Sequence, residues 1–210
     1  GGMASSAGYP LAAFSKTVSV APLEKELYIM QKGAILSLNA SKTLALFSRG
    51  LNQVTLNAWQ IRPQFINLLV TQSYGDLDSL EMRSHSMEFS HLSEKQYFSY
   101  TPAQTNENTP NYTALNLSSL LRDGKKGLFH LELQGAGISE EGRQESLTTY
   151  QSTFLLVTDL AMNIKQTSEG RREVFIHSFA SGKPSSGVKV EVVGQNGLPL
   201  FSNVTNEQGY

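Results

Sequence analysis

Four histidines, His85, His91, His130 and His177, are the first side chains in this sequence that could do chemistry, as metal ligands or as proton carriers. Their spacing argues against it. His85 and His91 sit six residues apart, which along a strand separates them by roughly 20 Å, too far to share an ion. His130 alternates with Phe129 and Leu131 and should point outward, while His177 lies between Phe175 and Phe179 on one face. Gly135-Ala136-Gly137 follows a strand as in a dinucleotide-binding turn, but Glu140 stands where the third glycine belongs and no helical pattern follows. Gly182-Lys183-Pro184-Ser185 imitates the tail of a phosphate-binding loop. It lacks the upstream glycine, and Pro184 replaces the serine or threonine that would meet a magnesium ion. No G-x-S-x-G elbow is present to activate a serine. Glu140-Glu141 falls in a polar loop with nothing to raise a carboxyl pKa. The sequence therefore nominates no catalytic, cofactor-binding or metal-binding residue, expects no cofactor, and does not read as an enzyme.

The elements that would position any site are mostly strands. Val54, Leu56 and Ala58 alternate with Thr55, Asn57 and Trp59, and Phe129, Leu131 and Leu133 alternate with His130 and Glu132. Phe154 to Val157 is wholly apolar, as in a strand covered on both faces, and Asp159 ends it. Leu27 to Leu38, interrupted at Gly33, and Lys42 to Phe47 also read as strands. Met87 to His91 and Gln96 to Tyr100 are weaker strand patterns. One helix starts at Pro63, a residue suited to a first turn, and carries Phe65, Ile66, Leu69 and Val70 as a stripe for docking on a sheet before Tyr74-Gly75-Asp76 stops it. Thr101 to Thr113 and Gln134 to Ser146 read as loops, and Leu115 to Leu121 as a helical turn.

After Asp159 the pattern sharpens. Val174 to Phe179 is a strand closed by Gly182-Lys183-Pro184. Val188, Val190 and Val192 alternate with Lys189 and Glu191, and Asn196-Gly197 predicts a type I′ hairpin turn with both residues at positive φ. Leu198 to Val204 is the return strand. About four strands are thus expected after Asp159, fewer than the seven or so of a full immunoglobulin-like sandwich.

Composition sets the outer bounds. The 210 residues are 40% hydrophobic and 17% charged, values of a globular chain, with a net charge of −1 that gives no reason to expect a nucleic acid or a membrane surface as partner. Lys125-Lys126 and Arg171-Arg172 are isolated pairs beside glycines, and no run is long and apolar enough to span a bilayer. The absence of cysteine excludes disulfides and thiolate chemistry within these residues. Asn39, Asn111, Asn116 and Asn203 each begin an Asn-x-Ser/Thr triplet. The opening GGMASSAG reads as a tag remnant and a flexible lead.

Thr158-Asp159-Leu160, the GKPxxG turn, the alternating valines, Asn196-Gly197 and the closing Thr205 to Gly209 together resemble the start of an immunoglobulin-like macroglobulin domain of the bacterial alpha-2-macroglobulins. A looser resemblance runs upstream through Ser48-Arg49-Gly50, Val54 to Trp59, Arg62-Pro63 and Gly127 to Leu133. The resemblance implies an all-β fold of macroglobulin β-sandwich domains, with one inserted short helix and an incomplete second sandwich. Residues 1–25 are expected to be tag remnant and linker, 26–157 a macroglobulin-like β domain, and 158–210 the truncated start of a second. Functionally it implies a scaffold segment of a broad-spectrum protease inhibitor that traps its target after bait cleavage. The implied partners are target proteases, met through the full-length parent, and neighbouring macroglobulin domains of the same chain, with no direct membrane contact in this segment. The family's thioester joins a cysteine to a glutamine side chain, so any such bond lies outside these residues. The implied address is periplasmic, on a parent anchored to the inner membrane as a lipoprotein; no lipoprotein signal stands at this N-terminus, so the chain reads as an excised internal piece. The competing reading is a structural or adhesive immunoglobulin-like module of a cell-envelope protein, because one sandwich serves both roles.

Overall fold

The computed structural model describes residues 4–10, 15–21, 23–31, 35–38, 41–72, 93–103, 108–137, 143 and 149–210. In chain order the elements are β1 (Glu26–Ile29), β2 (Ile35–Ser37), β3 (Thr43–Arg49), β4 (Gln53–Ile61), α1 (Pro63–Gln72), β5 (Ser93–Tyr100) and β6 (Pro110–Asn116). They are followed by β7 (Gly127–Ala136), β8 (Thr149–Thr158), β9 (Leu160–Gln166), β10 (Arg172–Ser178), β11 (Lys189–Val193) and β12 (Pro199–Val204). The described chain is all-β with one helix, as its alternating patterns foretold.

Two sheets close on each other to make the first part. A three-stranded antiparallel sheet, β1-β3-β6, faces a five-stranded sheet ordered β2-β8-β7-β4-β5. Leu46 of β3, Val54, Leu56 and Ala58 of β4, and Phe129, Leu131 and Leu133 of β7 meet between them, each 2% exposed or less. Their period of two puts every one of them on the inner face, and each large side chain buried there contributes about 1.5–3 kcal/mol. Leu117, Leu120 and Leu121, in the turn after β6, plug one side of this core.

The outer face of the five-stranded sheet is buried as well. Leu69 of α1 is fully buried and packs with Ile61, Leu128 and Phe154, flanked by Phe65 and Ile66. The expected stripe does dock on the sheet, although Val70 is left at the margin, 36% exposed. Trp59 shares this face with Ile61 and is a packing residue.

Several expectations are corrected. The stretch Leu27 to Leu38 is two strands in different sheets: β1 pairs with β3, whereas β2 crosses over and lies parallel to β8. The loop expected through Thr113 ends earlier, because β6 starts at Pro110 and pairs with the whole of β3. Asn111 and Thr113 occupy its inward positions, so polar residue types conceal the alternation. The expected helical turn survives only as Leu117 to Leu121, closed by the Leu121 N–H donating to the Leu117 carbonyl, since Leu115 and Asn116 belong to the strand. β7 also runs two residues further than expected, to Ala136. The patterns at Met87 to His91, the helix stop at Tyr74 to Asp76 and the glycine break at Gly33 lie outside the described residues.

The last four strands form two antiparallel pairs, β9–β10 and β11–β12. Their burial differs sharply from that of the first part. Val190 is only half-buried and Val192 is 54% exposed, so the face expected to be covered is open in this chain. The β11–β12 connection is a hairpin, yet not of type I′. Gly197 alone takes positive φ, 78°, and donates its N–H to the Gly194 carbonyl, while Asn196 stays at negative φ and its Oδ1 accepts from the Leu198 N–H. A turn with glycine in the left-handed position does the reversal.

Candidate functional site

The described histidines are not brought together. His130 lies in β7 of the five-stranded sheet and His177 in β10 of a separate pair; His85 and His91 lie outside the described residues, as do Glu140 and Glu141. Among the described residues no group of three potential metal ligands converges, and no helix is long and apolar enough to cross a membrane. Gly135 sits inside β7, where a Cβ would come within 2.5 Å of Leu51 Cδ1 and 2.6 Å of Thr149 Oγ1. Its smallness is thus explained by packing. Gly182-Lys183-Pro184 is a turn: the Gly182 N–H donates to the Ser178 carbonyl, and Pro184 bridges back to His177.

His130 overturns the outward orientation expected of it. It is 4% exposed, on the helix-bearing face, in line with Trp59 of β4 and Phe154 of β8, with ring centroids at 5.5 and 4.8 Å. Burial lowers its pKa from 6.5 to about 4, even though the Glu132 carboxylate lies 4.0 Å from Nδ1. The folded state therefore holds a neutral imidazole that the unfolded chain would protonate sooner. Stability from this residue is complete above pH 6.5 and falls as pH drops towards 4, by at most about 3 kcal/mol. Urea midpoints measured across that window should show the slope, and His130→Leu should lack it. A midpoint independent of pH between 6.5 and 4 would refute the assignment.

The dense polar geometry lies instead where the first part passes into β9–β12. Asp159 is the single residue between β8 and β9. Its Oδ2 accepts from the Ser178 hydroxyl at 2.7 Å, its Oδ1 from the Ala180 N–H at 3.1 Å, and its carbonyl from the Phe179 N–H at 2.7 Å. Thr205, 6% exposed, performs a similar task further on. Its hydroxyl donates to the Ser185 carbonyl at 2.7 Å and accepts from the Val188 N–H at 3.0 Å, while its own N–H and carbonyl pair with Val188 and Gly187. The closing turn then folds back, Asn206 Oδ1 receiving the N–H groups of Gln208 and Tyr210, and the Gly209 carbonyl accepting from the Ile176 N–H at 2.9 Å.

Thr205→Val keeps the shape and removes the hydroxyl. Leaving the Ser185 carbonyl and the Val188 N–H without that partner should cost roughly 1–3 kcal/mol, read as loss of hydrogen-exchange protection at Val188. Thr205→Ser should retain it, and equal protection in all three proteins would contradict this role.

Between the two strand pairs lies an open apolar cleft of about 340 Å³, lined among others by Ile164, Val174, Val190, Val192, Phe201 and Tyr210. It is mostly apolar and offers no paired acid and base.

Asp159, Thr205 and Gly209 are the positions that give the sequence its characteristic wording, and each is fixed here by contacts distant in the chain. In the sequence alone they stand only as motif letters. The Thr-x-x-x-Gly spacing was the available signal.

No family model matches the chain. It is 28% identical over 207 residues, 92% of its length, to an alpha-2-macroglobulin homolog of Yersinia pestis, and 26% identical over 200 residues, 94% of its length, to an alpha-2-macroglobulin of Rickettsia conorii. The chain is similar in sequence to bacterial alpha-2-macroglobulins. It spans about a tenth of the length of these relatives, 10% of each. Among solved structures it resembles native alpha-2-macroglobulin from Escherichia coli spanning domains MG0-NIE-MG1, with a TM-score of 0.65 and 16% identity over 96% of this chain and 61% of that one. A second Escherichia coli structure, spanning NIE-MG1, gives a TM-score of 0.64 at 16% identity over 90% of this chain and 86% of that one. These neighbours show a macroglobulin fold, in which Asp159, Thr205 and Gly209 of this chain act as turn locks.

Proposed function

We propose that this segment is scaffold in a broad-spectrum protease inhibitor, which captures a protease after the protease cuts an exposed bait. The observation that carries the reading is the match, over 92% of the chain, to a relative named as an alpha-2-macroglobulin homolog. The hydrogen-bonded turns and packed sheets described above suit a part that holds geometry while chemistry happens elsewhere. On this reading the segment is not an enzyme. Its partners are neighbouring macroglobulin domains of the same polypeptide and, through the whole parent, target proteases. Residues 26–157 form one domain and 158–210 belong to a second. A periplasmic address on a lipoprotein parent goes with the same reading.

The test uses the full-length parent mixed with a broad-specificity protease, followed by assays on a large protein substrate and a small peptide. Physical capture spares the large substrate while the peptide is still cut. Undiminished cleavage of both would remove the inhibitor reading and favour a structural or adhesive module.

A further inference from the structure

We propose that the crossing from β8 to β9 is a rigid brace that holds the two parts of the chain at one angle, and not a hinge about which they swing. A hinge needs a few residues free to change φ and ψ. Here those residues are tied on both sides. Thr158 belongs to the first part, where Ser37 of β2 stands opposite it and its carbonyl accepts from the Leu38 N–H at 3.2 Å. Its hydroxyl reaches over the crossing to accept from the Leu160 N–H at 3.0 Å. Asp159 then binds the second part through three acceptor contacts, to Ser178, Phe179 and Ala180. Rotation at 158–160 would break several of these bonds at once, each worth about 1 kcal/mol or more where the acceptor is a carboxylate.

A separate contact limits the remaining freedom. The tip of the β11–β12 hairpin rests on α1: a Cβ placed on Gly197 would lie 3.8 Å from the Asn67 carbonyl oxygen and 3.8 Å from Thr71 Oγ1. The helix beneath is itself anchored through Leu69 to Ile61, Leu128 and Phe154 of the five-stranded sheet. One bonded crossing would still permit rotation about its own axis. With the hairpin tip seated on the helix, that rotation meets a wall on one side. The inference stands whether or not the parent inhibits proteases, because it concerns only the relation of the two parts.

The cysteine-free sequence makes the test direct. Spin labels on Lys126→Cys and Ser202→Cys span the two parts, and labels on Lys126→Cys and Tyr97→Cys form a control pair within the first. Electron paramagnetic resonance should give the spanning pair a distance distribution as narrow as the control. Asp159→Ala should widen it about twofold or more, and Thr71→Arg should shift its mean by pushing the hairpin off the helix. A spanning distribution already twice as wide as the control in the otherwise unaltered chain would overturn the brace. So would an unchanged distribution in both variants with native circular dichroism. Should Asp159→Ala fail to fold, the unaltered chain and Thr71→Arg still decide the matter.

Discussion

Replacing Phe129 with alanine should cost roughly 3–5 kcal/mol and unfold most of the first part at ambient temperature. Phe129 is fully buried near the start of β7, opposite Gln60 of β4 and Leu155 of β8, and it projects between the two sheets. The strands around it are fixed by ladders on both sides, so they cannot collapse into the space a truncated side chain leaves. A domain typically holds about 5–15 kcal/mol in total, and the loss is a large share of that. Trp59, the single tryptophan, lies in the neighbouring strand and reports the first part through its fluorescence. Urea titration should show the midpoint fall sharply for Phe129→Ala and much less for Phe129→Leu. Equal, small shifts in both would mean that the two sheets do not share a core at this residue.

Gly209→Val should be nearly as damaging, and in the other part. Gly209 has φ of 82°, a conformation that a β-branched residue avoids, and a Cβ there would meet the Ile176 carbonyl oxygen at 2.5 Å and Phe175 Cε2 at 3.0 Å. Backbone cannot step aside as a flexible side chain can. The strain and the clash together amount to roughly 2–4 kcal/mol, and they fall on the bond by which the Ile176 N–H holds the closing turn. Hydrogen exchange at Ile176 should accelerate strongly while the Trp59 unfolding midpoint stays put. If Ile176 keeps its protection, the closing turn is not held on β10 by this glycine.

Most of the strand architecture was legible in the sequence because it rests on local alternation. Val54, Leu56 and Ala58, and Phe129, Leu131 and Leu133, each face the core as their spacing required. β6 escaped because Asn111 and Thr113 take inward places that apolar residues usually hold. His130 was misplaced for a related reason. Alternation identifies two faces of a strand, yet only the packing of α1 and the neighbouring Trp59 and Phe154 decides that the second face is also dry. Asn196 shows the limit of dipeptide rules, since it joins the turn through its side chain while Gly197 alone takes positive φ. The roles of Asp159 and Thr205 were invisible for a different cause: their partners lie about twenty residues away, and the bonds exist only once β10 and β11 are in place.

The molecule is a closed double-sheet body carrying an open four-stranded unit. Within β9–β12 and the turns that follow them, only Ala161, Ile176, Thr205 and Gly209 are buried among the described residues, against a continuous core in the first part. Native-state hydrogen exchange on the 210-residue chain measures this difference residue by residue. Amides of β4, β7 and β8 should exchange slowest, through global unfolding, while those of β9–β12 should exchange faster through local opening. Uniform protection from β1 to β12 would contradict this division of the molecule.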